Sequence, residues 1–272
     1  MTGPGECTAV IGAIRAPLFV PANRPERFEK AARSGADAVI LDLEDAVPFD
    51  AKDAARSALR RDFTDLPVVV RVNAAGSAAH AADLMAVSAL RPAAIILPKA
   101  ESPSFVEALA NTLACQVIAL IETARGLANA RQIAAAQGVA RLAFGSVDLC
   151  ADLGCAHERE ILAPARFELV LASRLAGIAA PIDGVTVRLD DLSETSSDAA
   201  HARDLGMGGK LCIHPSQIAP VREAFAPGEA EIAWARRVLA SGDGAVLVDG
   251  AMVDKPVRAR ARAILQAVDQ KP

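Results

Sequence analysis

Charged side chains follow the apolar segments of this chain at the points where those segments end. The acids are Glu44, Asp45, Glu122 and Asp148, and the bases among them are Arg71 and Lys99. Charges beside apolar segments cost desolvation free energy unless they are paired or bind an ion. Because acids outnumber bases, the pattern favours a divalent cation, and oxygen ligands without a neighbouring His or Cys suit Mg²⁺, with Mn²⁺ as a second choice.

Glu122 and Asp148 end successive apolar runs and are the candidate metal ligands. A dication held by them would stabilise negative charge that develops on a substrate oxygen. Alternatively, these acids only cap helices or pair with Arg and Lys side chains around a rim. Lys99 could instead form a Schiff base with a carbonyl substrate, but the pair of carboxylates argues for metal chemistry.

The elements that must carry these residues are short apolar runs separated by helical segments. Nearly uninterrupted apolar runs are typical of strands in a parallel sheet that is buried on both faces. The runs are Ala16–Val20, Ala38–Leu43, Pro67–Val72, Ala93–Leu97, Gln116–Ile121, Arg141–Phe144, Ile182–Val187 and Lys210–Ile213. The helical segments include Arg24–Ser34, Ala51–Arg61, Ser104–Leu113, Gly126–Gln137, Pro164–Leu175 and Ser197–Leu205.

Eight strands alternating with helices predict an α/β fold of the TIM (β/α)8 barrel type, with a doubly wound open sheet as the alternative. In a barrel the carboxyl ends of all strands meet at one mouth, where the chemistry takes place. The barrel therefore predicts that the charged strand ends converge on one site.

Composition limits the classes of partner. The 272 residues carry a net charge of −4 and are 52% hydrophobic, and their pI is near 5.6. Without basic blocks, a nucleic-acid partner is not expected. No apolar run reaches the roughly 18 residues that span a bilayer, and residues 1–13 lack the features of a signal peptide, so we expect neither membrane insertion nor export. Five scattered cysteines without a metal-ligand spacing indicate a reducing cytoplasm.

The last 46 residues predict an appendix to the barrel. We expect a catalytic barrel over residues 1–226 and a C-terminal helical lid over residues 227–272. Within the lid, Glu229–Ala240 is helical, Ala245–Val248 is a short apolar stretch, and a final helix runs from about Lys255 to Val268.

Seven motifs, in order along the chain, resemble the citrate lyase β-subunit-like branch of the HpcH/HpaI aldolase and citrate lyase superfamily, which includes malyl-CoA and citramalyl-CoA lyases. They are the stretches 18–28 (LFVPANRPERF), 41–47 (LDLEDAV), 70–73 (VRVN), 97–102 (LPKAES), 120–126 (LIETARG), 145–149 (GSVDL) and 213–218 (IHPSQI).

This resemblance implies a Mg²⁺-dependent lyase in which Glu122 and Asp148 hold the metal and Arg71 binds a carboxylate or carbonyl oxygen of the substrate. Glu44, Asp45 and Lys99 would surround the metal ligands without binding the metal directly. It further implies that Phe19, Arg24 and Lys30 help to bind coenzyme A. The segment from Arg24 to Lys30 could instead be only the charged start of the first helix.

The tail resembles the lid of the family's lyases, in which a Gly-x-Met-[Ile/Val]-Asp-x-Pro motif lends an acid to a neighbouring subunit's site. Here the motif is Gly250–Pro256, and Asp254 is the implied acid or base; with Arg71 and Glu44 it completes the candidate catalytic set. Alternatively, Asp254 only caps the last helix. A shared site requires a neighbour, and the resemblance implies a homotrimer or a dimer of trimers.

The implied reaction is the cleavage of a 3-hydroxyacyl-CoA thioester, citramalyl-CoA or malyl-CoA, to acetyl-CoA and a 2-oxo acid, pyruvate or glyoxylate. Three alternatives stay open: a malyl-CoA thioesterase, an aldolase for 2-oxo-3-deoxy acids, and the citryl-carrier lyase β subunit of a citrate lyase complex. Serine hydrolase chemistry is not expected, because Ser146 lacks the Gly-x-Ser-x-Gly elbow. We assign no role to His80, His157 and His201, which we place on the surface.

Overall fold

The computed structural model describes residues 4–242, 244 and 246–269. Within these residues, eight parallel strands form one sheet, and each strand pairs with the next one along the chain. The strands are β1 (Pro17–Pro21), β2 (Ala38–Asp42), β3 (Val68–Arg71), β4 (Ala94–Leu97), β5 (Val117–Ile121), β6 (Val139–Phe144), β7 (Ala179–Asp183) and β8 (Gly209–Lys210). Each neighbouring pair is parallel, as the continuous apolar runs predict.

The sheet closes between its first and last members. Leu18 of β1 bridges Cys212, just after β8, in the parallel sense. Phe19 N donates to Cys212 O at 2.9 Å, and Cys212 N donates to Pro17 O at 3.0 Å. The TIM-like barrel is confirmed, and the open-sheet alternative is wrong.

Helices surround the barrel and connect its strands. In the described residues they are α1 (Pro4–Ala13), α2 (Phe28–Ala32), α3 (Lys52–Ser57), α4 (His80–Leu90), α5 (Pro103–Leu113), α6 (Ala124–Ala128), α7 (Ala130–Ala135), α8 (Ser146–Leu153), α9 (Arg159–Ala176), α10 (Leu192–Asp204) and α11 (Ile218–Phe225). Short 3-10 turns at Pro25–Arg27, Phe49–Ala51 and Pro215–Gln217 precede three of them.

Inward-pointing side chains fill the barrel, and α1 covers its amino-terminal end. Ile11 and Ile14 pack into the same buried cluster as Ile40, Ile96 and Leu120 of the strands. Arg141 of β6 is fully buried and donates from Nη1 to the carbonyls of both isoleucines. Burial lowers the pKa of Arg141 to about 9, so the side chain stays charged at neutral pH. This end of the barrel is plugged, which leaves the opposite end for a site.

The seventh strand differs from the prediction. The apolar run Ile182–Val187 predicts a strand there, but β7 covers Ala179–Asp183. Val185 and Val187 lie beyond the strand and line a cavity at the mouth. These two valines therefore lie in an apolar loop, and hydrophobic periodicity alone does not distinguish such a loop from a strand.

The described residues fall into two compact units, one up to Arg222 and one from Glu223 onward. The second unit contains α12 (Glu229–Ala240), the antiparallel pair β9 (Val246–Val248) and β10 (Ala251–Val253), and α13 (Lys255–Asp269). Both predicted helices are present; the strand β10 was not predicted, and Ala245, the expected start of the apolar stretch, lies outside the described residues. The assignment of residues 1–226 to catalysis and 227–272 to a lid stays a prediction.

The unit from Glu223 onward has its own core, formed where α12 packs against α13. Ala235, Val238, Val253 and Ala261 are buried in it. Asp254 lies at the start of α13, where its Oδ1 accepts a hydrogen bond from Val257 N at 3.2 Å. The helix-capping interpretation of Asp254 therefore holds within this unit; its catalytic role stays a proposal.

Two further expectations can be compared with the described residues. No helix in the described ranges is long and apolar enough to cross a bilayer. Cys150 and Cys212 are buried and Cys115 and Cys155 are half-buried, all four as free thiols, while the side chain of Cys7 lies outside the described part. The cytoplasmic location stays a prediction.

Candidate active site

A cavity of about 370 Å³ opens at the carboxyl mouth of the barrel. Its polar lining residues include Asp42, Arg71, Glu122, Ser146 and Asp148, and its apolar lining residues include Phe19, Leu120, Phe144, Val185, Leu211 and Ile213. The mouth is where the barrel prediction placed the site.

Arg71 is held in place from two sides at this mouth. Its Nε donates to Asp42 Oδ1 and its Nη2 to Asp42 Oδ2, both at 2.7 Å. Its Nη1 lies 3.1 Å from Glu44 Oε2, and its guanidinium carbon is 4.8 Å from the centre of the Phe19 ring. Although burial acts in the opposite direction, hydrogen bonds and charge from Asp42 raise the pKa of Arg71 above its usual value. The guanidinium is a fixed cation.

Glu44 lies between two cations. Its Oε1 accepts a hydrogen bond from Lys99 Nζ at 3.1 Å. Its Oε2 has no hydrogen-bond partner among the described residues, although it lies 3.1 Å from Arg71 Nη1 in an ion pair. Burial raises the pKa of Glu44, and the neighbouring Asp45 adds to this, against the opposing charges of Arg71 and Lys99.

Glu122 follows β5 and is buried, with 2% of its surface exposed. Its Oε1 accepts a hydrogen bond from the backbone N–H of Lys99 at 2.8 Å. Lys99 adopts a φ of 49°, a left-handed conformation that costs a non-glycine residue free energy and recurs at functional sites. The strained backbone at the end of β4 thus directs an N–H group at the Glu122 carboxylate.

Asp148 reaches the cavity from the first turn of α8, directly after β6. The approach of this helix to Glu122 depends on Gly145. A Cβ at position 145 would lie 2.3 Å from Glu122 Oε2 and 2.4 Å from Glu122 Cβ. The absence of a side chain at Gly145 therefore lets the two carboxylates share one cavity.

The site has more carboxyl groups than basic groups. Burial raises the pKa of Glu122 to about 8, with further contributions from Glu44 and Asp148 and an opposing one from Lys99. The acids Asp42, Glu44, Glu122 and Asp148 face the two bases Arg71 and Lys99, and Asp42 already neutralises Arg71. A cation between Glu122 and Asp148 would remove the repulsion between them.

The donor set fits a Mg²⁺ ion. Among the described residues, no group of three or more His, Cys, Asp and Glu side chains is arranged to hold a metal, so Glu122 and Asp148 would act as a pair. Mg²⁺ commonly uses one or two protein carboxylates and completes its octahedron with water and substrate oxygens. Zn²⁺, which usually takes three or four His or Cys ligands, is not suited.

The structure brings together most of the sequence-predicted residues of the barrel, but not all. Glu44 and Lys99 contact each other, Lys99 contacts Glu122, and Phe19 lies under Arg71. Three of the predicted residues have exposed side chains: Asp45, Arg24 and Lys30. Arg24 forms an ion pair with Glu26 at 2.7 Å. None of these three lines the cavity, and neither do Glu44 and Lys99, which contact its lining residues Arg71 and Glu122. Their roles toward metal or coenzyme stay proposals.

Sequence reasoning missed residues that the structure places at the site. Asp42 was treated only as part of a strand end, although its inward position on β2 pairs it with Arg71. Ser146 is buried at the start of α8, and its Oγ lies 2.9 Å from His157 Nε2. The surface placement was wrong for His80, which is buried with its Nδ1 2.7 Å from Asn73 O. The alternation of inward and outward side chains along β2 could have revealed that Asp42 points into the barrel. The contacts of Ser146 with His157 and of His80 with Asn73 depend on the course of loops.

Comparison with known proteins identifies the family. The family model described as HpcH/HpaI aldolase/citrate lyase matches residues 15–215. The chain belongs to this family. Within it, the chain is 43% identical over 260 residues to a citrate lyase subunit beta-like protein of Mycobacterium tuberculosis, covering 92% of this chain and 93% of that protein. The resemblance found in the motifs is confirmed.

Two further relatives extend the comparison. A (3S)-malyl-CoA thioesterase of Cereibacter sphaeroides is 33% identical over 255 residues, covering 88% of this chain and 89% of that protein. The solved structure of CitE from Mycobacterium tuberculosis in complex with magnesium, acetoacetate and coenzyme A matches with a TM-score of 0.86 at 42% identity, covering 95% of this chain and 99% of that one. The HpcH/HpaI member described here is therefore a lyase of the citrate lyase β-like type.

Proposed function

We propose that this protein is a Mg²⁺-dependent acyl-CoA lyase that cleaves citramalyl-CoA or malyl-CoA to acetyl-CoA and pyruvate or glyoxylate. The observation that carries the proposal is the shared cavity, in which Glu122, Asp148 and Arg71 line one space at the mouth of the barrel. The magnesium and coenzyme A present in the related CitE structure support the same chemistry.

Each proposed binding residue matches one part of the substrate. Glu122 and Asp148 would hold Mg²⁺, which when bound supplies positive charge to the reacting oxygen and the adjoining carboxylate. Asp42 occupies the Nε side of Arg71, so the N–H groups that remain on Nη1 and Nη2 would bind the substrate carboxylate. The apolar wall that includes Leu120 and Leu211 would exclude water from the reacting carbons.

Cleavage also requires proton transfer. The hydroxyl proton must leave, the carbon–carbon bond must open to an enolate of acetyl-CoA and a 2-oxo acid, and a proton must reach the enolate carbon. Glu44, which is buried and whose Oε2 has no hydrogen-bond partner in the described residues, and Asp254 of the lid motif are the proposed proton carriers. Asp45 and Lys99 would set the charge around Glu44, while Phe19, Arg24 and Lys30 would contact coenzyme A.

A direct assay tests this function. Purified protein is incubated with citramalyl-CoA, malyl-CoA, a citryl thioester and a free 2-oxo-3-deoxy acid, each with Mg²⁺ and with EDTA, and products are followed by mass spectrometry. We expect Mg²⁺-dependent acetyl-CoA and a 2-oxo acid from a CoA thioester. Turnover of the free deoxy acid without thioester cleavage would refute the proposal, and activity on the citryl thioester alone would favour a citrate lyase subunit.

Malyl-CoA thioesterase action is the second candidate, favoured by the Cereibacter sphaeroides relative of that name. The two reactions differ in products, because hydrolysis of malyl-CoA releases malate and free coenzyme A whereas cleavage releases acetyl-CoA and glyoxylate. Accumulation of malate, with acetyl-CoA absent from the first minutes of the reaction, would select the thioesterase.

A homotrimer, or a dimer of trimers, in which Asp254 serves a neighbouring site is also proposed. Coexpression of Glu122→Gln and Asp254→Asn chains tests this arrangement. Either variant alone should be inactive, whereas randomly mixed trimers should recover about a quarter of the wild-type activity, since that share of sites combines an intact Glu122 with a neighbour's intact Asp254. Absence of recovery, or a fully active monomer on size-exclusion chromatography, would contradict the shared site.

A further inference from the structure

The backbone on both sides of the Glu44 α-carbon is held by Lys52 and Asn73, which lie outside the cavity, and by Asp42, which lines it. Leu43 O accepts hydrogen bonds from Lys52 Nζ and from Asn73 Nδ2, each at 2.8 Å. Glu44 O accepts a second bond from Lys52 Nζ at 3.0 Å, and Glu44 N donates to Asp42 Oδ1 at 3.0 Å. The two peptide groups that flank Glu44 are therefore both held.

Asn73 is itself held in place by hydrogen bonds to Asp83. Its backbone N and its Nδ2 both donate to Asp83 Oδ2, at 2.8 and 2.6 Å. Asp83 is fully buried, and its other oxygen accepts a hydrogen bond from Arg56 Nη1 at 2.8 Å. This chain of contacts ties the turn after β2 to α3 and α4 on the outside of the barrel.

We propose that Lys52 and Asn73 are positioning residues that orient the Glu44 carboxylate against Arg71 and Lys99. The inference rests on the proposed function, in which Glu44 acts beside the substrate. The two anchored peptide groups fix the point from which the Glu44 side chain extends, and from that point its Oε1 reaches Lys99 Nζ at 3.1 Å and its Oε2 reaches Arg71 Nη1 at 3.1 Å. Neither Lys52 nor Asn73 lines the cavity, and Glu44 meets it through its contact with the lining residue Arg71, so both would act through Glu44 on Arg71.

Lys52→Met is the decisive variant, because it removes both carbonyl contacts at a half-exposed position. We expect kcat on the preferred thioester to fall about tenfold, as loss of hydrogen bonds from a charged donor implies, while KM changes less than about twofold. Lys52→Arg keeps a cationic donor and should restore kcat to within about threefold of wild type. Arg61→Met is the matched control, since Arg61 also donates to a backbone carbonyl, that of Arg91, away from the site.

Amide hydrogen exchange provides a second measurement that does not depend on turnover. In Lys52→Met and in Asn73→Ala, the amides of Glu44, Ala46 and Val47 should exchange about tenfold faster, because local opening of the turn becomes easier. Arg61→Met should leave these three amides unchanged.

The outcomes separate the positioning role from the proposed function. If wild-type protein cleaves no thioester, the proposed function fails, and the exchange data still decide whether the turn is held by Lys52. If Lys52→Met leaves both kcat and exchange within twofold of wild type, or if Arg61→Met causes the same losses, the positioning role is wrong. Loss of kcat that Lys52→Arg does not restore would also overturn it.

Discussion

Asp42 and Arg71 are direct partners in the parallel register of β2 and β3, and their side chains form a two-point ion pair inside the mouth of the barrel. Both contacts, Nε to Oδ1 and Nη2 to Oδ2, measure 2.7 Å. The pair fixes the plane of the guanidinium before any substrate arrives, and such preorganisation reduces the cost of binding.

Asp42→Asn should therefore impair both catalysis and stability. The amide keeps the size of the side chain but loses the charge and turns one acceptor into a donor facing Arg71. We expect kcat/KM to fall by roughly 10- to 100-fold, as for a misaligned binding group, and the free energy of unfolding to fall by ~1–3 kcal/mol. Urea denaturation and steady-state kinetics measure both. Asp62→Asn, at an exposed pair with Arg60, should change neither; equal effects of the two variants would show that Asp42 does not orient Arg71.

Removing one proposed metal ligand should abolish the stabilisation of the fold by Mg²⁺ without destabilising the metal-free protein. Because the pKa of Glu122 is raised to about 8, Glu122→Gln in EDTA should leave stability unchanged near pH 7, and above pH 8 it should raise stability by up to ~1 kcal/mol by relieving repulsion with Glu44 and Asp148. In wild type, Mg²⁺ at 100 times its Kd should stabilise the fold by ~2.7 kcal/mol, and the variant should gain almost nothing. Thermal unfolding with Mg²⁺ and with EDTA measures this, with Glu160→Gln on α9 as the control. Equal Mg²⁺ stabilisation in the variant would remove Glu122 from the site.

Gly145 should tolerate no side chain. In Gly145→Ala the new methyl would overlap Glu122 Oε2 and Cβ, so either Glu122 or the start of α8 must move. We expect a loss of ~1–3 kcal/mol in unfolding free energy, typical of overpacking, together with loss of Mg²⁺-dependent activity. In the control Gly228→Ala the nearest atom is 3.7 Å away, and normal activity is expected. Full activity in Gly145→Ala would mean that Glu122 and Asp148 need not approach each other.

The buried cluster of Asp183, Lys210 and Arg166 should make stability depend on pH. Asp183 Oδ2 lies 3.1 Å from Lys210 Nζ, and Asp183 Oδ1 lies 2.7 Å from Arg166 Nε. Burial alone would raise the pKa of Asp183, but the two cations hold it below its usual value. The resulting stabilisation is complete above the unfolded pKa of about 3.9 and is lost as the pH falls from there through the folded pKa.

Asp183→Asn tests this relationship by urea denaturation between pH 3 and pH 7. At pH 7 the variant should lose ~3–5 kcal/mol, because two buried cations lose their partner. Its stability should then fall less steeply than that of wild type between pH 4 and pH 3. Asp62→Asn, at the exposed pair with Arg60, should follow the wild-type curve. Parallel curves for Asp183→Asn and wild type would exclude Asp183 as the source of the acid sensitivity.

The amino-acid sequence by itself determined the barrel, the family and the strand ends that meet at the mouth. Eight apolar runs in parallel order leave few alternatives, because side chains alternate along each strand and all carboxyl ends lie on one side. Glu122, Asp148 and Arg71 could thus be assigned to one mouth from their positions alone. The strand limits were less certain where a loop is also apolar, as at Val185 and Val187.

Only the tertiary structure decided which atoms meet. The pairing of Arg71 with Asp42 follows from the register between two strands, and the approach of Asp148 to Glu122 follows from the contact that Gly145 permits. The left-handed backbone at Lys99 and the anchoring of Glu44 by Lys52 depend on the course of separate loops. Local sequence preferences do not encode such contacts, because they join residues that are distant along the chain and are fixed only when the whole barrel packs.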